Sequence, residues 1–509
     1  MPTHPINTSN KIAGRIFRWF DGTTPVSRGF LGLLLLVIAG ALLAPIWIVQ
    51  YPPLVDYPNH LASAFVLAHL KDPAFTFSRF YASDWNTYPY LTMDAILVGL
   101  ERFMSIDLAG RLLLSLSVLA VPAAAWFFIR RANPGQECLA FWALITAHNL
   151  YFFLWGFTNL QLSLALCLLV LGVWLRCLER PLIATWCLLL VLTTGLYFTH
   201  LMGFGVAGFV MTFYAAFARR RFREILFSWA LFIPGTLFFL HSMTHVSSGW
   251  RWTFDLSRKG MGLLMATAGI SPLIDFLTVT LLAVSLGLAA FNNPGFKWNR
   301  PWLGVAVGLF ALYLVFPYGY GAGIFADRRL MPFLFVLTLS SFRVGRRGRI
   351  LAAIAILVFF LRAGEVKRRF IDEQRESAKL AQSFSVIPAG ARVVPLVEPG
   401  RRLGYFWAYG VIRRGWFSPC LFHDPGVQPF RIKADAYAPC GPDFLSMGSL
   451  DWNRIQHESG YVWEYDAPEA LPALSAMGRV IFEDGNLRVF RLDPSVADGM
   501  QEKIIRGRK

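Results

Sequence analysis

Charge is what this sequence has least of. Asp, Glu, Lys and Arg make up 16% of its 509 residues, against roughly 25% in average soluble domains. A chain so poor in charge and 55% hydrophobic is not soluble throughout. Several runs approach the ~20 apolar residues that cross a bilayer core. Acids are the scarcer sign, 31 against 48 Lys and Arg, for a net charge of +17. That excess does not point to nucleic acid. The basic residues fall in short clusters between apolar runs, at Arg130–Arg131, Arg219–Arg223 and Arg343–Arg349, which is how cytoplasmic loops look under the positive-inside rule. Cysteine is scarce too, six in all, which excludes a disulfide scaffold. Cys138, Cys167, Cys177 and Cys187 lie in or beside apolar segments and read as packing residues. Cys420 and Cys440 lie in hydrophilic sequence and can pair if that part is extracytoplasmic. Metal-ligand spacing, internal repeats and low-complexity tracts are all lacking.

What is present is a series of apolar runs. The first, "GFLGLLLLVIAGALLAPIWIV" (Gly29–Val49), is too long for a signal-peptide core and has no clean small-x-small site after it. It reads as a retained span. Residues 1–28 carry Lys11, Arg15, Arg18 and Arg28 against Asp21, so this segment should stay cytoplasmic. The first span then runs outward and puts "YPPLVDYPNHLA" (Tyr51–Ala62) on the outer side. Tyr88–Met104 is short and carries Asp94 and Glu101. A charge at mid-bilayer is expensive, so this run reads as interfacial or re-entrant, and residues 51–107 form one long outer loop. The remaining runs alternate at about 108–129, 138–155, 159–178, 182–200, 202–218, 224–241, 272–291, 301–318, 330–344 and 349–363. The expectation is a polytopic α-helical membrane protein of about eleven transmembrane helices over residues 29–363. Residues 364–509 then form a small α/β extracytoplasmic C-terminal domain. In it "ARVVPLV" (Ala391–Val397) and "GRVIFEDGNLRVFRL" (Gly478–Leu492) predict strands, the second a hairpin turning at Asp484–Gly485. The basic stretch Arg362–Arg369 falls on the outer side, where long translocated domains largely escape the charge rule.

Polar residues with chemical potential collect on the outer face. Asp56 follows the first span directly, with Pro58 suited to the first turn of a following helix. It either complements that helix N-terminus or serves as a general base or a ligand to a divalent metal such as Mg or Mn. Asp84, in "SDWNTYPY", is a second acid of the same loop, fit for metal sharing or substrate orientation. Asn59 and His60 adjoin Asp56. His200 sits at an outer helix–helix turn, where interhelical hydrogen bonding is the plain alternative. In "FADRRLMPF", Asp327, Arg328 and Arg329 stand where the tenth span begins. The arginines either snorkel toward lipid headgroups or bind phosphate, which guanidinium geometry suits. Trp250 and Arg251, in the loop "HVSSGWRWTFDLSRKG" with Arg258 and Lys259, add to a basic, Trp-rich outer pocket, where Trp faces pack well on sugars.

"VDYPNHLA", "GLERFMSIDLAGRLLLSL" and "DRRLMPF", with an acid after the first span, a long first outer loop and an outer C-terminal domain, resemble the GT-C superfamily of membrane glycosyltransferases. The resemblance covers about Arg28 to Leu361. It implies a GT-C-like fold and inverting chemistry of the family's type, moving a sugar from a polyprenyl-phosphate donor to a lipid, glycan or protein acceptor. It implies that Asp56 is the first-loop catalytic acid and that Arg328 or Arg329 meets the donor phosphate. The place implied is a bacterial inner membrane, with the N-terminus cytoplasmic and the C-terminal domain periplasmic. The adjacent acidic partner found in several such families is not beside Asp56. Two other readings stand beside this one: a transporter or flippase of a lipid or polysaccharide precursor, and a non-catalytic envelope-assembly scaffold.

Overall fold

The computed structural model describes residues 28–243, 250–251, 256–269, 271–320, 325–398, 400–423, 426–433 and 450–493. Apolar runs that have no water to satisfy their backbone close their hydrogen bonds internally, which makes them helices. Helices occur at Arg28–Trp47, Ile106–Ala132, Thr158–Glu179, Ile183–Thr199, Leu201–Phe217, Pro272–Ala290 and Arg300–Val315. Glu137–Leu154 is one span's length of broken helix, with 3-10, α and π turns in succession. Phe222–Ala230 and Ile233–Met243 form a pair bent by 48°. Five of these stretches are long and apolar enough to cross a membrane, and six if the bent pair counts as one span. Ile183–Thr199 and Leu201–Phe217 have 17 residues each and Arg300–Val315 has 16. At 1.5 Å per residue they reach about 25 Å, short of the ~30 Å hydrocarbon core. The helix Leu91–Leu100 has 10 residues, much too short to span, as the re-entrant reading expects.

The ends of the helices follow from local chemistry. Ser105 caps Ile106–Ala132 by accepting from the Leu108 amide, and Arg130 and Arg131 occupy its last turn, where cations suit the helix dipole. Close approach is made by small residues, as helix packing in lipid requires. Gly110 leaves room for the Tyr57 ring and Gly304 for Phe217. Leu33, Leu35 and Leu36 point outward while Leu42 and Ile46 are buried, so the first helix has a lipid-type face and a packed face.

The helix Gly348–Gln382 is 35 residues long and runs unbroken through residue 364, where the C-terminal part was expected to begin. Beyond it lies a four-stranded sheet in the order Val393–Val397, Tyr461–Tyr465, Leu487–Leu492, Gly478–Asp484. The first pair is parallel and the others antiparallel. The expected hairpin is present, with Asp484 opposite Leu487 and Gly485 at φ +60° in the turn. The sheet is tied to the long helix by the Trp463 indole, which donates to Ser383 at 2.9 Å.

The first loop and the C-terminal part are built together. Tyr81–Ser83 pairs antiparallel with Phe430–Ile432. Tyr81 Oη donates to the Ser418 carbonyl at 2.9 Å and accepts from its amide at 2.8 Å. Arg413 grips Asp107 with two bonds of 2.7 and 2.9 Å. Cys420 is disulfide-bonded; Cys440 lies outside the described residues.

Candidate active site

Four chain turns meet at one end of the helical bundle: 55–57, 154–157, the break at His200, and 325–329. The first is fixed by backbone. Val55 N donates to Leu154 O at 3.2 Å and Asp56 N to Trp155 O at 2.9 Å. Gly156 makes this possible. Its φ is +79°, and a Cβ there would lie 2.8 Å from Tyr57 N and 3.1 Å from Asp56 N. Only glycine meets both demands at low cost.

Asp56 precedes the helix Tyr57–Ala68, with Pro58 in its first turn, as the sequence predicts, yet its side chain caps nothing. The carboxylate takes no hydrogen bond from any described residue. It is half-buried, and burial pushes its pKa up to about 7, opposed by the nearby Arg329 guanidinium. Arg329 lies with its guanidinium 4.4 Å from the centroid of the Phe157 ring, and its Nε has no partner. Burial pulls its pKa down while Tyr90 and Asp56 push it back up; a guanidinium remains charged. Asp56 and Arg329 feel each other's field without forming a direct ion pair.

Around them, Tyr90 holds a left-handed backbone at φ +71°. Its ring meets His200 edge-on at 4.4 Å, and its carbonyl accepts from Asn159 at 3.2 Å. The Asn159 Oδ1 is buried without a partner. His200 caps the helix Leu201–Phe217, its Nδ1 accepting from Met202 N at 3.0 Å. Burial and the nearby Arg329 keep its pKa well below the usual value, so it stays a neutral acceptor.

The other expected site residues are placed as follows. Arg328 donates to Tyr151 Oη at 2.8 Å and lies 4.9 Å from the Phe325 ring centroid; it is Arg329, not Arg328, whose charge acts on Asp56. Asp327 is buried, with Oδ2 accepting from Lys259 Nζ at 2.7 Å and Oδ1 from Arg328 N at 2.8 Å. Asn59 is fully buried and clamped to the C-terminal part, donating to Cys420 O at 3.2 Å and accepting from Phe422 N at 2.9 Å. His60 meets the Phe422 ring at 5.3 Å, and burial lowers its pKa to about 4. Asp84 accepts from Tyr88 Oη at 2.5 Å and Arg431 at 3.4 Å, beside the Tyr81–Ser83 strand, and makes no contact with Asp56. Trp250 and Arg251 form a two-residue strand against Gly319–Tyr320.

Sequence reading missed Phe157, Tyr90 and Gly156. Only Gly156 left a signal: a lone glycine in "LWGFTN" between two apolar runs marks a turn.

Among the described residues no three His, Cys, Asp or Glu side chains gather as ligands. The charge that acts on Asp56 is the Arg329 guanidinium.

No protein-family model matches the chain, and no curated protein matches it. Among solved structures, the fold is similar to that titled "Crystal Structure of ArnT from Cupriavidus metallidurans in the apo state". The two share 13% identity at a TM-score of 0.45, over 92% of this chain and 98% of that one.

Proposed function

We propose that this protein is a membrane glycosyltransferase of the GT-C type. It would move a sugar from a polyprenyl-phosphate donor to a hydroxyl of a lipid, glycan or protein acceptor at the periplasmic face of a bacterial inner membrane. The observation that carries this reading is the unpaired Asp56 carboxylate, raised to about 7 and set opposite an unpaired Arg329. A base is most effective when its pKa lies near the working pH. A carboxylate left without a cap, hydrogen bond or ion pair has no structural duty that explains its burial.

The chemistry follows from the two groups. The acceptor hydroxyl gives its proton to Asp56 as its oxygen forms a bond to the anomeric carbon. The bond from that carbon to the phosphate oxygen breaks, and the electron pair leaves with the polyprenyl phosphate. Arg329, a half-buried cation, stabilises the charge growing on that phosphate. A single displacement of this kind inverts the anomeric centre. The Asp56 amide is held by the Trp155 carbonyl where Gly156 allows close approach, and the Asn59 side chain anchors the helix that follows. No step requires a metal.

The test is transfer from a panel of polyprenyl-phosphate sugars by purified wild type and Asp56→Asn, with and without Mg²⁺ or Mn²⁺. Transfer by wild type should fall by about 10²-fold or more in Asp56→Asn, and be indifferent to metal. Full activity in the folded variant would remove Asp56 from the mechanism.

A carrier reading draws on one observation. Arg362 is buried and pairs with Asp275 at 2.7 Å beside a small recess that Ser271 and Glu365 help to line. Buried charge pairs between membrane helices are common in carriers. Absence of transfer from every donor, with folded protein and varied acceptors, would favour it.

A further inference from the structure

We propose that Lys259 is a positioning residue that keeps Arg329 free for the donor phosphate by occupying Asp327. This rests on the transferase reading above and adds a residue to it. Lys259 lies on the helix Leu256–Leu264 and is 2% exposed, where sequence alone reads it as part of a basic, Trp-rich outer pocket. Its ammonium donates to Asp327 Oδ2 at 2.7 Å and to the Phe316 carbonyl at 2.8 Å, and lies 4.8 Å from the Tyr313 ring centroid. Tyr313 Oη in turn donates to the Lys259 carbonyl at 2.6 Å. Gly262 leaves the room that the Tyr313 hydroxyl fills. The result is a closed node joining the helix Leu256–Leu264 to the turn that carries Arg328 and Arg329.

The charges explain what the node does. Asp327 immediately precedes two arginines in a 3-10 turn and is the carboxylate nearest to them in sequence. Both its oxygens are taken, one by Lys259 and one by the Arg328 amide. Arg328 therefore turns to a neutral phenol and Arg329 to the face of Phe157. Neither arginine has a carboxylate ion pair among the described residues. Without the ammonium, Asp327 would be a buried uncompensated anion. Such a group recruits the nearest cation, and the adjacent guanidiniums are the groups able to respond. An arginine held by its own neighbour is no longer available to an incoming phosphate.

The experiment is a binding titration that needs no turnover: undecaprenyl phosphate, without a sugar, added to purified protein in nanodiscs and followed by tryptophan fluorescence. Lys259→Gln keeps a hydrogen-bond donor for Asp327 but removes the charge, and should weaken binding by about tenfold or more, the scale of losing one charge-assisted phosphate contact. Asp327→Asn keeps the oxygen that caps Arg328 and should bind as wild type does. The double variant Lys259→Gln/Asp327→Asn should recover wild-type affinity, because no carboxylate remains to capture Arg329. A merely structural node would make the two single variants fall together. Equal losses in both, or none in Lys259→Gln, would overturn the proposal. Should Lys259→Gln fail to fold, the double variant decides: wild-type affinity supports the proposal, and a tenfold loss sinks it. Wild type that binds no polyprenyl phosphate would instead overturn the transferase reading and this inference with it. Binding by wild type separates the two failures.

Discussion

At the end of the bundle opposite Asp56, side-chain amides lock the turns together. Asn133 donates to Phe342 O at 2.7 Å and accepts from Arg343 Nε at 2.9 Å. Gln136 accepts from Val344 N at 2.8 Å, and Asn299 donates to Ala132 O at 3.2 Å. At the other end, the Asp56 carboxylate has no hydrogen bond, Arg329 Nε and Asn159 Oδ1 lack partners, and Tyr90 and Phe325 hold left-handed backbones. Both ends face the same demand, since buried polar groups cost free energy unless paired. One end meets most of it from within the chain, leaving Arg131 Nε, Trp302 Nε1 and Ser340 Oγ without partners. The other leaves a carboxylate and a guanidinium in each other's field without an ion pair between them. Unmet polar groups and strained residues concentrate where proteins act.

The comparison can be broken at either end. Arg329→Ala should cost the most after Asp56→Asn: about 10- to 100-fold in transfer, the worth of one charge-assisted contact, with the variant still folded. Arg329→Lys should recover part of this. An Arg329→Ala enzyme as active as wild type would mean that the guanidinium stands too far from the phosphate.

The second expectation concerns stability. Asp56 has a raised folded-state pKa, so its contribution to stability is fully present below about pH 4 and lost as pH rises through about 7. Asp56→Asn removes that loss. The variant should therefore unfold at a higher temperature than wild type at pH 8, by a margin on the order of a few kcal/mol at most, shrinking toward pH 5. Apparent melting in detergent at the two pH values measures it. A variant less stable than wild type at pH 8 would show that the carboxylate has a structural duty after all.

The smallest effect is expected at the locked end. Asn133→Ala removes both its bonds and should cost about 1–3 kcal/mol while leaving transfer per folded molecule unchanged. A selective loss of activity, without loss of stability, would erase the contrast between the ends.

Much of this layout was legible in the sequence. The helices at Arg28–Trp47, Ile106–Ala132, Thr158–Glu179 and Pro272–Ala290 begin and end within a few residues of their apolar runs, because a run without water must satisfy its backbone internally. The acid after the first span and the arginine pair before the tenth were legible as charges in a chain that has few. Their relation was not. The choice of Arg329 over Arg328 rests on the direction of each side chain out of a 3-10 turn. Asn59 reads as a polar neighbour of Asp56, yet its amide reaches across 361 residues to Cys420, and no local pattern announces such a bond. Lys259 reads as one more basic residue of an outer loop, and it is buried against an acid 68 residues away.

The sequence by itself determined the class of molecule, the succession of apolar helices and the side of the chain on which its few acids and arginines collect. These depend on composition and on the backbone's need for hydrogen bonds, which are local. The tertiary structure alone decided which charges are paired and which are left open. Burial and distance set that balance, and both arise only when turns remote in sequence are brought to one end of the bundle. Asp327 is neutralised because Lys259 packs beside it, and Asp56 and Arg329 stay open because no hydrogen-bonding or charged partner among the described residues pairs with them.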